Sequence, residues 1–118
     1  PELLKQYEDG NMIRYISLLK FTDAGAQAFR KSPARAVGFL ELAAAEGVEV
    51  EAQLWTAGAY GGLLVLAARS EAAIVRVLAG LAEHGYVRTE SLRAFTMEEV
   101  SAMAPCSSPQ PRRRNRSR

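Results

Sequence analysis

Six residues of this 118-residue chain combine aromatic surface with fixed charge: Tyr15, Trp55, Tyr60, Arg88, Glu90 and Arg93. Arg88 and Glu90 stand two apart in a stretch of extended character, so they share one strand face and can pair across it. With three aromatic rings and Arg93 they could line an aromatic-walled cleft for a small anionic or aromatic ligand. The plainer reading makes the aromatics core and the ion pair structural. Tyr60 with Arg88 or Glu90 would also serve as acid and base in a cofactor-independent oxygenase or isomerase.

The other reactive positions carry less. Thr56-Ala57-Gly58-Ala59-Tyr60-Gly61-Gly62 lacks the GxxxxGK[ST] spacing of a phosphate loop and runs into a strand, so it offers no helix N-terminus to a phosphate. It reads as a hairpin turn, with Gly58 at a positive φ and Tyr60 opening the next strand. Gly61 and Gly62 inside a strand imply close approach by a neighbour, either a bulky side chain such as Trp55 or a ligand. His84 is the single histidine, in the last turn of a helix, and no second His or Cys stands at ligand spacing. No metal or cofactor is expected. Pro1 opens a polar segment rather than a strand, unlike the catalytic N-terminal prolines. Cys106 has no His or Lys beside it to lower its pKa.

Charge divides the chain. The net +2 is an average, because Arg112 to Arg118 takes five of fifteen basic residues and none of the thirteen acids, leaving −3 on the remainder. That remainder lacks the excess of Lys and Arg of a nucleic-acid-binding surface. The arginine tail could bind nucleic acid or an anionic surface through charge alone, but no aromatic residue is interleaved with it. No run is long and apolar enough for a membrane helix, PELLKQYEDGN is too polar for a secretory signal, and a lone cysteine suits a reducing compartment. A cytoplasmic protein is expected.

These side chains must be positioned by a small α+β domain. Met12 to Phe21 is rich in β-branched and aromatic residues, with Ile13, Tyr15, Leu19 and Phe21 on one face and Ile16 and Leu18 on the other. Thr22-Asp23 caps a short helical turn. Ser32 caps, and Pro33 begins, a helix with an apolar stripe of Ala36, Val37, Leu40, Ala43 and Ala44; Arg35, Glu41 and Glu46 stay off it, and Gly47 stops it. Val48, Val50, Ala52 and Leu54 alternate with polar neighbours and Trp55 in a half-buried strand, and Leu63 to Ala68 is apolar on both faces. Ser70 caps a second helix with Ile74, Val77, Leu78, Leu81 and Ala82 inward; Tyr86 to Phe95 is the fourth strand. Thr96 and Glu99 form a capping box. The order β-α-β-β-α-β predicts a ferredoxin-like antiparallel four-stranded sheet with both helices on one face, over residues 12–104. Residues 1–11 read as an extension and 105–118 as a disordered Pro/Ser/Arg-rich tail. The second sheet face would be apolar and bare, and a second copy of the chain is the expected cover.

Five stretches in this order and spacing, Tyr15-Ile16-Ser17-Leu18, Phe21-Thr22-Asp23-Ala24-Gly25, Ser32-Pro33, Trp55 to Tyr60 and Val87 to Phe95, resemble the GYD-domain family. The resemblance covers about Met12 to Glu99 and implies a dimeric α+β barrel. That superfold includes small cofactor-free monooxygenases, isomerases and ligand-binding domains, so the fold does not choose among them. One departure is informative: the family's aspartate after the tyrosine is replaced here by Gly61. The resemblance carries over no catalytic residue.

Overall fold

In the computed structural model, residues 12–104 are described; Pro1, Cys106 and the arginine tail lie outside the described residues. The order is β1 (Ile13–Phe21), α1 (Asp23–Gln27), a 3-10 turn (Phe29–Lys31), α2 (Ser32–Ala45), β2 (Glu49–Trp55), β3 (Gly62–Ala68), α3 (Glu71–Glu83), β4 (Val87–Ala94) and α4 (Met97–Met103). The four strands form one antiparallel sheet in the order β2-β3-β1-β4. This is the ferredoxin-like arrangement expected from the element order: two crossovers through α2 and α3 flank a β2–β3 hairpin.

The core lies between one sheet face and the two long helices. Phe39 and Ala43 of α2 and Ala73, Ile74 and Val77 of α3 close over Leu64, Leu66 and Ala68 of β3, with Ile13, Tyr15 and Leu19 of β1 packed against them. Ser17 shares that face and is fully buried, its hydroxyl paired with that of Ser91 at 2.8 Å across the β1–β4 ladder. Ser91 is exposed, and its hydroxyl removes the penalty of burying that of Ser17 unpaired. The opposite face carries Ile16, Leu18, Leu63 and Val65, half-buried by their neighbours in the sheet, with Leu54 and Leu92 more than half exposed.

Two expectations about facing fail, each for a physical reason. The stripe of α2 is turned by one position: Phe39 is buried, whereas Val37 and Leu40 are exposed. Nearly every non-polar position of this helix is Ala, Val, Leu or Phe, so its periodicity marks no unique face; the bulkiest ring, with the most area to remove from water, takes the inside. In β2 the alternation breaks at a bulge between Val50 and Ala52. Val50 points to the helices opposite Leu66, but beyond the bulge Ala52 and Leu54 fall on the open face while Gln53 and Trp55 face the helices. One inserted residue reverses every side chain that follows. Glu51, the extra residue, places its carboxylate against the Arg14 guanidinium in a two-point ion pair at 2.9 Å. Arg14 sits beside Ala67 on the ladder, so the pair bridges β1 to β2 across that fully buried alanine.

The turns follow the residues that specify them. Gly47 and Gly85 adopt φ near +78° and +77° after their helices, and Gly58 φ +134° at the hairpin tip. Thr96 and Glu99 form the capping box. Thr22 does more than cap: its hydroxyl accepts from the Gly25 N–H and donates to the Gly85 carbonyl at 2.6 Å, and its own N–H donates to the Tyr86 carbonyl. The start of α1 is thereby fastened to the α3–β4 turn. Gly25 faces that carbonyl so closely that a β-carbon would lie 1.9 Å from the Tyr86 oxygen.

Two glycine substitutions should therefore act in opposite directions. Gly38, mid-helix with no atom within 4 Å of a β-carbon, should gain up to about 1 kcal/mol on replacement by alanine. Gly25→Ala must displace backbone and should cost more than about 2 kcal/mol. Thermal melts of the two variants check this, and equal melting temperatures would refute the close-approach argument.

Candidate functional site

A cleft of about 530 Å³ opens between the helix-facing side of the sheet and α2 and α3. Its floor is Leu64, Gly62 and Val87 from the strands and Phe39 from α2, all buried. Phe21, Trp55, Leu42 and Leu81 make the walls. His84 and Trp55 reach solvent at its rim. The polar contributions are Ser32, Arg35, Gln53, His84 and Tyr86; among the described residues no carboxylate lines it.

Trp55 reaches this cleft because of the β2 bulge, and it is fixed there by a hydrogen bond from its indole Nε1 to the Ser32 hydroxyl at 2.9 Å. Ser32 is thus not the N-cap expected from Ser-Pro. It is the first residue of α2, helical at φ −57° and ψ −43°, and the helix starts without a side-chain cap. Its hydroxyl serves Trp55 instead, joining two of the sequence stretches singled out above.

The space over the glycine pair is filled by β1. A β-carbon on Gly61 would lie 2.4 Å from the Phe21 ring, and one on Gly62 would meet the Leu54 carbonyl at 3.0 Å and the Leu19 side chain at 3.2 Å. Phe21 over Gly61, and Leu19 with the Leu54 carbonyl over Gly62, occupy the gap rather than Trp55; the Phe21 ring is held edge-on against Phe29 with centroids 5.5 Å apart. The turn itself is closed by the Thr56 hydroxyl and N–H, which donate to the carbonyls of Tyr60 (2.7 Å) and Gly61 (3.0 Å). Tyr60 belongs to this turn, two residues before β3 begins.

The six sequence candidates do not converge on one place. Trp55 alone of them lines the cleft. Tyr15 and Arg93 are ladder partners on the helix-facing side, where the Tyr15 phenol donates to Glu71 at the start of α3. Arg93 is folded back onto the Ala94 carbonyl at 2.6 Å and over the Phe95 ring at 4.4 Å. Tyr60 and Glu90 meet on the other side of the sheet, with the Tyr60 phenol donating to the carboxylate at 2.7 Å and Lys20 lying 5.2 Å from the ring centre. Arg88 pairs with Lys20 on the ladder at that same end and is exposed. Glu90 is therefore engaged by a phenol.

In both tyrosine–carboxylate pairs the phenol's pKa is raised above its ordinary 10.0. The cause is first the hydrogen bond to the carboxylate, Glu71 for Tyr15 and Glu90 for Tyr60; for Tyr15 the burial of the phenol follows, for Tyr60 the carboxylate's negative charge. Each phenol stays protonated through neutral pH and acts as a donor.

The cleft residues that sequence reasoning missed are Arg35 and Phe39. The helical periodicity puts Arg35 off the apolar stripe. One turn along α2 from Ser32, it instead turns inward, with Nη1 donating to the Ala28 carbonyl at 3.1 Å and the guanidinium carbon 4.2 Å from the Tyr86 ring centre. Its spacing from Ser32 and Phe39 was the available signal. Among the described residues no group of three or more His, Cys, Asp or Glu could hold a metal ion, and no helix is long and apolar enough to cross a membrane.

A split β-α-β-β-α-β sheet with an apolar cleft under its crossover helices defines the class: a ferredoxin-like α+β domain. Residues 15–104 match the GYD domain, and the chain belongs to that family. Comparison with curated proteins and with solved structures finds no match.

Two predictions follow from these contacts. Gly61→Asp forces the Phe21 ring aside and should cost at least about 2 kcal/mol. Phe21→Ala should relieve part of that cost, with a coupling above about 1 kcal/mol in a double-mutant cycle of denaturant melts; strict additivity would refute the packing of Phe21 on Gly61. For the phenols, stability from a raised pKa is present below about pH 10 and lost as pH rises through the folded-state midpoint. Ultraviolet titration should show a late-ionising component that Tyr60→Phe removes and Glu90→Ala moves to lower pH. A Glu90→Ala titration identical to the parent's would overturn that assignment.

Proposed function

We propose that this domain binds a small, largely apolar organic molecule in the sheet–helix cleft, as a homodimer joined through the open sheet face. The observation that carries the binding reading is the cleft itself: about 530 Å³ bounded by aromatic and aliphatic side chains, with a few polar groups at defined points. Its size and lining are those of small-molecule sites. Trp55, held rigid by Ser32, supplies a flat wall that loses little freedom on binding. The acid–base pair that an oxygenase or isomerase would need, Tyr60 with Glu90, stands on the far side of the sheet from this space, which favours binding over catalysis.

Phenylbutanamide, a neutral aromatic probe, tests the reading. Trp55 is the single tryptophan and can be excited where a phenyl ring does not absorb. A saturable change in its emission is expected, and Ala36→Phe, which fills the cleft from α2, should weaken it by at least about tenfold. An unchanged spectrum up to the solubility limit, with the amide and with the matching carboxylic acid alike, would sink the binding reading.

The dimer reading rests on the second face. Ile16, Leu18, Leu63 and Val65 form its centre, with Leu54 and Leu92 beside them; Lys20, Arg88, Tyr60 and Glu90 stand at one end and the Arg14–Glu51 pair at the other. An apolar centre with a polar rim is the anatomy of a protein interface. Four strands at about 4.8 Å spacing and about 3.4 Å per residue offer roughly 500 Å² per copy. A self-paired face then buries roughly 1,000 Å², the lower range for a specific interface. Light scattering should give about twice the 12.9 kDa chain mass, and Val65→Lys should return a folded monomer. A parent chain that is monomeric at micromolar concentration would refute the dimer.

A further inference from the structure

We infer that the ligand of this cleft carries a carboxylate, seated against the Arg35 guanidinium at the start of α2. The inference rests on the cleft reading above and adds the chemistry of the ligand's polar end.

The observations are specific to Arg35. One of its terminal nitrogens, Nη1, is held by the Ala28 carbonyl, and the Tyr86 ring covers the face of the guanidinium. The other, Nη2, is buried and has no hydrogen-bond partner among the described residues. A guanidinium keeps its charge at all accessible pH and presents its donors in a fixed fork suited to the two oxygens of a carboxylate. Burying one of those donors unpaired is unfavourable, so an orphaned Nη2 on a residue that lines the cleft marks a place for an acceptor. Among the described residues none supplies that acceptor to Nη2, and no Asp or Glu of them lines the cleft.

The surroundings reinforce the sign. α2 is fourteen residues long and begins, at Ser32, without a side-chain cap, so the positive end of its dipole is directed at this end of the cleft. Arg30 and Lys31 precede it in the 3-10 turn. The rest of the cavity wall is apolar. A molecule that satisfies both parts has a hydrophobic or aromatic body against Trp55, Phe39 and Leu64 and one anionic end at Arg35. An uncharged apolar ligand would leave the guanidinium as it stands; an inorganic anion would leave the apolar wall uncovered.

The test compares phenylbutanoate with phenylbutanamide, which share shape and differ in charge, by the emission of Trp55 in the full chain. The acid is expected to bind about tenfold or more tightly than the amide. In Arg35→Gln the acid should fall to the level of the amide while the amide is unchanged, and Arg35→Lys should keep part of the preference. Equal affinities in the parent chain, or a preference that survives in Arg35→Gln, would overturn the carboxylate while leaving the cleft reading in place. Failure of both probes to bind would overturn both. The parent-chain comparison decides the matter even where a substitution at position 35 impairs folding.

Discussion

A single extra residue in β2 sets the rest of this structure. Up to Val50 the strand follows the simple alternation of its side chains; at Glu51 the ladder slips by one, and everything after it changes face. Without the slip Trp55 would lie on the open side of the sheet and Leu54 under the helices. The cleft would lose its rigid wall, and the open face would gain an indole where it has a leucine. The bulge is anchored by the ion pair between Glu51 and Arg14, which spans the sheet over a small residue, Ala67, that leaves room for it. The pair is partly exposed, so its Coulomb energy is modest. Its value lies in fixing which residue is the inserted one, and so which face each later side chain takes.

The sequence stretches that carry the likeness to the GYD-domain family make defined packing contacts between distant parts of the chain. Thr22 and Gly25 grip the turn at Gly85 and Tyr86; Ser32 receives the Trp55 indole; Phe21 lies on Gly61. All three contacts border the same cleft, which explains how short stretches far apart in the chain form one pattern. Packing here demands defined partners: a hydroxyl at 32 for the indole nitrogen, no β-carbon at 25 or 61. The departure at Gly61 belongs to the same logic. An aspartate there and a phenyl ring from position 21 would contend for one volume.

Element types and their order were legible in the sequence, because β-branched runs, capping residues and glycine stops all agree with the fold. Thr96 with Glu99, Ser70 with Glu71 behind it, and Gly47 and Gly85 each mark a boundary through local chemistry alone. Facing was less legible. Helix α2 has apolar residues all round, and only the neighbouring strands decide that Phe39 turns inward and Val37 outward. A bulge leaves almost no local trace, so the direction of Trp55 was beyond periodicity. The site suffered most. Tyr60, not Arg88, meets Glu90, and all three lie on the opposite side of the sheet from the cleft. Arg35 stood off the apolar stripe of its helix, and its partner, the Tyr86 ring, lies far along the chain in the α3–β4 turn.

The strand order has a consequence for how the chain comes together. Only β2 and β3 are joined by a short turn; β1, at the centre of the sheet, has both partners far along the chain, as Leu19 with Gly62 and Arg14 with Ala94 show. During synthesis from the N-terminus β1 emerges with two apolar faces and nothing to pair with. It must wait until Ala68 has left the ribosome for one ladder and until Ala94 for the other. Closing such distant pairs costs chain entropy before any contact repays it. The local β2–β3 hairpin can thus close before β1 has either of its partners. The interval before β1 pairs is when this small domain is most open to pairing with the wrong strand.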